Sequence, residues 1–351
     1  MKEVRPIQHR YADPLDTVWL EIARRCGLVV VRDEAVFASF DGAKTLTICT
    51  PEHFDDDDCL AQMIFHELCH ALIMGAGGAA LRDWGLENVD DRDDVFEHAC
   101  HRLQSTLADR HGLREMLAPT TDHRAYYDRL PADPLAACGD PAITLAIDGW
   151  DRARHGPWAQ PLDDGLRATA GLARAMADLG DGAGLWSLYR EPHRLGLPPG
   201  THGLSCGGCA WSAPQAGSVA LLCNLAPRGV DAPLPEVAAG EAGCRFHETA
   251  LTGASCGPCG ACCREAYHEV PVGPGESLLE ERPDLVSGRE GAFVIARPEG
   301  RCLALEGGGE GQEPYTCSVY TGRPQHCRDF EVGGPNCLEA RQRVGLSGRA
   351  R

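Results

Sequence analysis

The chain has 351 residues, 43% hydrophobic and 24% charged, which suits a folded protein with two or three domains of roughly 100–200 residues each. Its net charge of −18, with Lys2 and Lys44 as the only lysines, argues against a nucleic-acid partner, because a phosphate backbone is held by clustered Lys and Arg. No run of about 18 apolar residues occurs, and MKEVRPIQHRYADPLD lacks the apolar core of a secretory signal. The expectation is a cytoplasmic protein with no membrane partner; its oligomeric state stays open.

In chain order, VWLEIARRCG is amphipathic and leads into the strand-like LVVVR. VFASF (36–40) and TLTICT (45–50) read as two further strands, with Asp41-Gly42 as a hairpin signal between them. Asp55 to Asp58 precede CLAQMIFHELCHALIMG, which reads as a helix because acidic residues favour a helix start and Gly75, Gly77 and Gly78 favour a stop. A second helix is expected at about 92–110, opening acidic and closing at Gly112. Beyond residue 130 proline and glycine weaken the periodicity, and LRATAGLARAMADL (166–179) is the last clear helix. The expected division is 1–135, a helical linker region 136–200, and a cysteine-rich part 201–351, itself divided at about 250.

The first helix carries His66-Glu67-Leu68-Cys69-His70, an HExxH motif. Residues four apart share a helix face, so both imidazoles can meet one metal ion with Glu67 beside it. Apolar Met63, Ile64, Phe65, Ala71, Leu72 and Ile73 frame the motif. Over residues 25–112 this arrangement resembles the zincin metallopeptidases. The resemblance implies a zinc ion, Glu67 as general base and a third ligand on the following helix; imidazole and carboxylate also suit iron. Position 73 is not Gly and 76 is not His, so the longer metzincin motif is absent. Glu97, His98 and His101 are the candidates. Phe96, Cys100, Leu103 and Leu107 form an apolar stripe with Glu97 at its rim, His101 farther round and His98 opposite, which favours Glu97 and then His101. RDWGLEN, just downstream, is faintly similar to the elongation factor P hydroxylases.

Eighteen cysteines are the anomaly of the composition. Cys26, Cys49, Cys59, Cys69, Cys100 and Cys138 are scattered and read as core or free thiols. The other twelve fall between Cys206 and Cys337. In an exported chain they would suggest disulfides; in a reducing compartment they suggest metal. Cys206, Cys209, Cys223 and Cys244 have spacing suited to one structural zinc. Cys256, Cys259, Cys262 and Cys263 pack four thiols into eight residues, and the adjacent pair would be strained on one tetrahedral ion. Two metals or a polynuclear cluster follow. Downstream lie Cys302, Cys317-Ser-Val-Tyr320, Arg323-Pro324-Gln-His-Cys327-Arg328-Asp-Phe330 and Cys337. This pattern resembles the YkgJ-type CxxCxxCC family of zinc- or iron-chelating domains, whose relatives include flagellin lysine methylases. The resemblance implies zinc or iron–sulfur binding by Cys256, Cys259, Cys262, Cys263, Cys302, Cys317, Cys327 and Cys337, with EGGGEGQEP as a loop insertion. Arg323 and Arg328 are expected to balance thiolate charge.

No phosphate-binding glycine loop, dinucleotide fingerprint or serine-protease triad occurs. The expectation is an α+β protein: a zincin-like domain with a small sheet, a helical linker and a loop-rich metal module. Its expected activity is metal-dependent hydrolysis of a protein or peptide. A metal-handling or redox iron–sulfur protein is the alternative, as is a protein-modifying enzyme similar to the flagellin methylases, which the absence of an S-adenosylmethionine-binding glycine motif disfavours.

Overall fold

A computed structural model of the protein describes residues 8–87, 91–120, 123–136, 139–177, 179, 182–200, 203–225, 232–265, 268–289, 292–308 and 314–348. Cys138 and much of the Gly-rich insertion after Cys302 lie outside these residues. The chain divides into two compact units, one over Met1–Leu135 and Gly139–Pro192, the other over Ala136–Cys138 and His193–Arg351.

The first unit opens with helix α1 (Pro14–Arg25), started by Asp13, whose carboxylate accepts from the Leu15 and Asp16 amides. Strands β1 (Val29–Arg32), β2 (Ala38–Phe40) and β3 (Thr45–Ile48) form a sheet in the order β1-β3-β2. β1 runs parallel to β3 and β2 antiparallel to it. The expected hairpin joins β2 to β3, with the Asp41 carboxylate accepting from the amides of Ala43, Lys44 and Thr45. Helix α2 (Leu60–Gly78) follows, its first amide at Cys59 capped by the Gln62 side chain. The remaining helices are α3 (Asp94–Asp109), α4 (Arg124–Asp128), α5 (Ala142–His155) and α6 (Ala159–Met176).

α2 is apolar on nearly every side, and a helix of that kind must lie inside. It packs against α1, α3 and α5, while α6 packs against α1 and α5. Residues expected as a helical linker therefore build the core of the first unit. Trp19, Phe65, Ile64, Leu68, Leu103 and Leu166 are almost completely buried there, each worth about 1.5–3 kcal/mol or more of burial. Trp19 Nε1 donates to Thr169 Oγ1 at 2.9 Å, fastening α1 to α6. Arg102, 3% exposed, donates to Tyr126, Asp140 and the Pro134 carbonyl and ties α3 to the segment after it.

The expected stop at Gly75 is instead a break inside α2. Gly75 has φ +59° and ψ −154°, a region that side chains exclude, and helical residues resume after it. The carbonyls of Leu72 and Ile73, freed by the break, accept from Arg152 Nη1 of α5 at 2.6 and 2.9 Å.

The second unit is built of short pieces. Strands β4 (Ser212–Pro214), β5 (Leu221–Cys223) and β6 (Glu236–Val237) make one antiparallel sheet. Helices α7 (Gly253–Cys259) and α8 (Ala261–Glu265) lead to β7 (Val270–Val272), helix α9 (Leu278–Glu281), β8 (Val286–Arg289) and β9 (Ala292–Ile295), the strands ordered β7-β9-β8. The ribbon β10 (Leu305–Glu306) with β11 (Thr316–Cys317) and helices α10 (Gln325–Arg328) and α11 (Pro335–Arg343) close it. The mix of helices with small sheets is α+β, as expected. Among the described residues no helix is long and apolar enough to cross a membrane.

Gly75→Ala is expected to lower unfolding free energy by about 1–3 kcal/mol, since its Cβ would also meet the Arg152 guanidinium carbon at 3.0 Å. Gly77→Ala, with open space around it, is the control and should be neutral or better in the same urea titration.

Candidate metal centres

In the first unit α2 and α3 bring three donors together. His66 Nε2 and His70 Nε2 lie 2.9 Å apart, and Glu97 Oε2 lies 3.8 and 3.5 Å from them. Ligands bound at about 2.0–2.1 Å in a tetrahedron are about 3.3–3.4 Å apart, so the three edges bracket the size of one zinc site. Burial, opposed by the Glu97 charge, lowers the pKa of His70, which keeps its imidazole neutral as a metal ligand must be.

The partners of these groups fix their orientation. Gln104 Nε2 donates to the Leu117 carbonyl at 2.6 Å, which turns its Oε1 toward His66 Nδ1 at 3.0 Å. That oxygen can only accept, so His66 carries its proton on Nδ1 and leaves Nε2 bare toward His70 and Glu97. Glu67 is 8% exposed and its Oε2 accepts from Trp84 Nε1 at 2.8 Å. Trp84 sits in a turn at Arg82–Gly85 where both Asp83 (φ +48°) and Trp84 (φ +59°) are left-handed. Asp83 Oδ1 holds that turn to β2 by accepting from Ser39 Oγ and the Phe40 amide, each at 2.8 Å, and Trp84 stacks on Phe40 at 3.7 Å.

Of the other two candidates, His101 lines the same cavity as the pair and His98 does not. His101 stacks on His66 with ring centres 5.1 Å apart and is 2% exposed. His98 stacks flat on Tyr126 at 3.7 Å, away from the pair. Cys100 also approaches His66 and His70, but its sulfur faces His66 Nδ1 at 3.5 Å, the edge already occupied by Gln104. Burial holds its pKa well above the ordinary thiol value. A cavity of about 580 Å³ opens over the donors, lined also by Phe37, Met63, Asp58, Asp94 and His123.

In the second unit Cys206 lies in a short turn with Cys209 just after it, Cys223 ends β5, and Cys244 pairs with Pro199 in a lone bridge. The thiols of Cys206, Cys209 and Cys244 each lie close enough to other cysteines of the four for those charges to raise their pKa. Burial is the main cause and pushes Cys206 up to about 11 and Cys244 up to about 12. Backbone hydrogen bonds from Glu248 and Trp211 to Cys209, and from Phe246 to Cys244, work the other way. Amides aimed at buried sulfurs suit thiolates held by a metal.

In the CxxCxxCC segment α7 carries Cys256 and Cys259, and α8 carries Cys262 and Cys263. Gly260 between them is left-handed (φ +61°), and a Cβ there would meet the Tyr315 ring at 2.9 Å. The Cys302 amide donates to the Cys263 carbonyl at 2.9 Å. Leu305 of β10 pairs with Cys317, while α10 and α11 bring in Cys327 and Cys337. Of the two arginines expected near the sulfurs, Arg323 hydrogen-bonds Cys256, whereas Arg328 braces α10 through Gln325 Oε1 at 2.8 Å and the Arg323 carbonyl. Arg341, unmarked by any spacing, donates to Cys259 Sγ at 3.3 Å and pairs with Glu248 at 2.9 Å. Among the described residues every cysteine is a free thiol.

Residues 255–343 match the CxxCxxCC family, described as a candidate zinc- or iron-chelating domain. No curated protein and no solved structure matches the chain. Zinc or iron binding by the cysteine-rich segment is thus supported, while the zincin-like resemblance of residues 25–112 finds no such support.

Trp84→Phe is expected to cost about 1–3 kcal/mol in a urea titration, because it strips the donor from a buried carboxylate, and to leave zinc uptake by the histidines intact. Cys244→Ser should lower bound zinc by about one equivalent per chain. Elemental analysis reads that loss, and unchanged zinc content would exclude Cys244 as a ligand.

Proposed function

We propose that the protein is a metal-dependent hydrolase of peptide or protein substrates joined to a separate zinc- or iron-binding cysteine module. His66, His70 and Glu97 hold one ion and Glu67 acts as general base. The observation that carries the reading is the convergence of two imidazole nitrogens and a carboxylate oxygen, within 3.8 Å of one another, at the wall of an open cavity of about 580 Å³. A zinc ion with three protein ligands and an open fourth position lowers the pKa of its water to about 7.

The chain's own residues then divide the work. Trp84 holds Glu67 Oε2, leaving Oε1 to take a proton, and the short tie from Asp83 to β2 prevents the carboxylate from swinging toward the ion. Gln104 keeps His66 in the ligating tautomer. The resemblance of the HELCH frame to zincins and the free thiols, which suit a cytoplasmic setting, agree with this reading. A redox or metal-handling protein is the second reading; the many free thiols around small cavities favour it.

Glu67→Gln separates the two. In zinc-loaded full-length protein assayed against casein and a mixed peptide library, the variant is expected to lose about 100-fold or more in turnover with zinc content unchanged. Equal cleavage by the variant would remove Glu67 as the base, and no cleavage by the unaltered protein would remove the peptide hydrolase.

A further inference from the structure

We infer that the eight cysteines of the CxxCxxCC segment form two separate four-thiolate metal centres, one held by Cys263, Cys302, Cys317 and Cys327, the other by Cys256, Cys259, Cys262 and Cys337. Neighbouring residues on a helix point about 100° apart, so Cys262 and Cys263 on α8 leave its axis in different directions. Two cavities lie where they lead. One, of about 100 Å³, is lined by Cys263, Cys302, Cys317 and Cys327 together with apolar Val270 and Ile295. The other, of about 20 Å³, is lined by Cys259 and Cys337 with Arg341. Cys256 and Cys262 form the wall between them and line both.

Two observations assign that wall to the second centre. Cys263, Cys302, Cys317 and Cys327 pack together on the apolar cluster of Val270, Val272 and Ile295, and none of the other four cysteines does. The Cys256 and Cys262 thiols hydrogen-bond each other, and Cys262 also hydrogen-bonds its neighbour Cys263 across the wall. Four and four is also the count that chemistry asks for, since both a tetrahedral zinc and an iron–sulfur cluster take four cysteine thiolates. Each centre joins α7 or α8 to a later part of the chain, and Arg341 gives the second a cation at 3.3 Å from Cys259. The division holds whether or not the first unit hydrolyses anything.

The test uses the full-length chain, reconstituted anaerobically with ferrous iron and sulfide and, in parallel, with zinc alone. Iron, zinc and acid-labile sulfide are counted per chain, and zinc at Cys206–Cys244 reports that each variant is folded. Cys263→Ser and Cys327→Ser are expected to remove the same part of the metal, and their double variant no more than either. Cys262→Ser and Cys337→Ser should remove the remaining part, again without adding to each other. Cys327→Ser with Cys337→Ser should remove the sum. A single serine that empties the whole segment would establish one polynuclear centre and overturn the division, as would identical losses from Cys262→Ser and Cys263→Ser. Iron with sulfide, against zinc, tells which metal each centre takes.

Discussion

A helix buried on all sides cannot carry polar groups unless each finds a partner, since an unpaired buried donor or acceptor costs about 1–3 kcal/mol. α2 carries His66, Glu67 and His70 into such a place, and the surrounding elements supply partners to His66 Nδ1 and Glu67 Oε2, while His70 Nδ1 has none among the described residues. Gln104 and Glu97 come from α3, which must therefore lie alongside. Trp84 comes from a turn that doubles back over the helix after the break at Gly75. Two non-glycine residues with positive φ in succession are costly, roughly 1–3 kcal/mol each. The cost is met by bonds of Asp83 to β2 and of Trp84 to Glu67, so the small sheet, otherwise a modest element, braces Glu67.

The second unit obeys a different constraint. Its apolar cluster rests on few large residues, Val270, Val272, Leu278, Leu285, Ile295, Leu305 and Val319, and its strands are two to four residues long. A core of that size supplies little stability against chain entropy. Thiolate–metal bonds replace the missing apolar contacts, and their formation is itself folding free energy. Burial pushes the Cys244 and Cys327 thiols up to about 12.

What the sequence reveals is what is local. The helix after Asp58 and the hairpin at Asp41 are periodic or adjacent signals, and the structure has both. Contacts that tune the site are distant in the chain and leave no such signal: Trp84 reaches Glu67 across 17 residues, Gln104 reaches His66 across 38, and Arg152 reaches Leu72 across 80. α5 escapes a reading of periodicity because Pro141, Gly149 and Gly156 suggest interruption, yet proline only precedes it and Gly156 ends it. The turn at Asp83 and Trp84 is hidden for the opposite reason, as neither residue type advertises a left-handed backbone. Cysteine spacing identifies the sulfur-rich segment but is silent on which sulfurs meet, because loops of unknown path separate them.

The spread of the sulfurs along the chain has a consequence for the order of events in biosynthesis. Cys256 and Cys337 stand 81 positions apart, and constraining a loop of that length removes about 4–5 kcal/mol of chain entropy in the treatment used for cross-links. The early sulfurs, gathered in eight residues, emerge first and present an incomplete set. Under the proposed division, a metal captured at that stage would lack its fourth thiolate until Cys337 on α11 closed the loop.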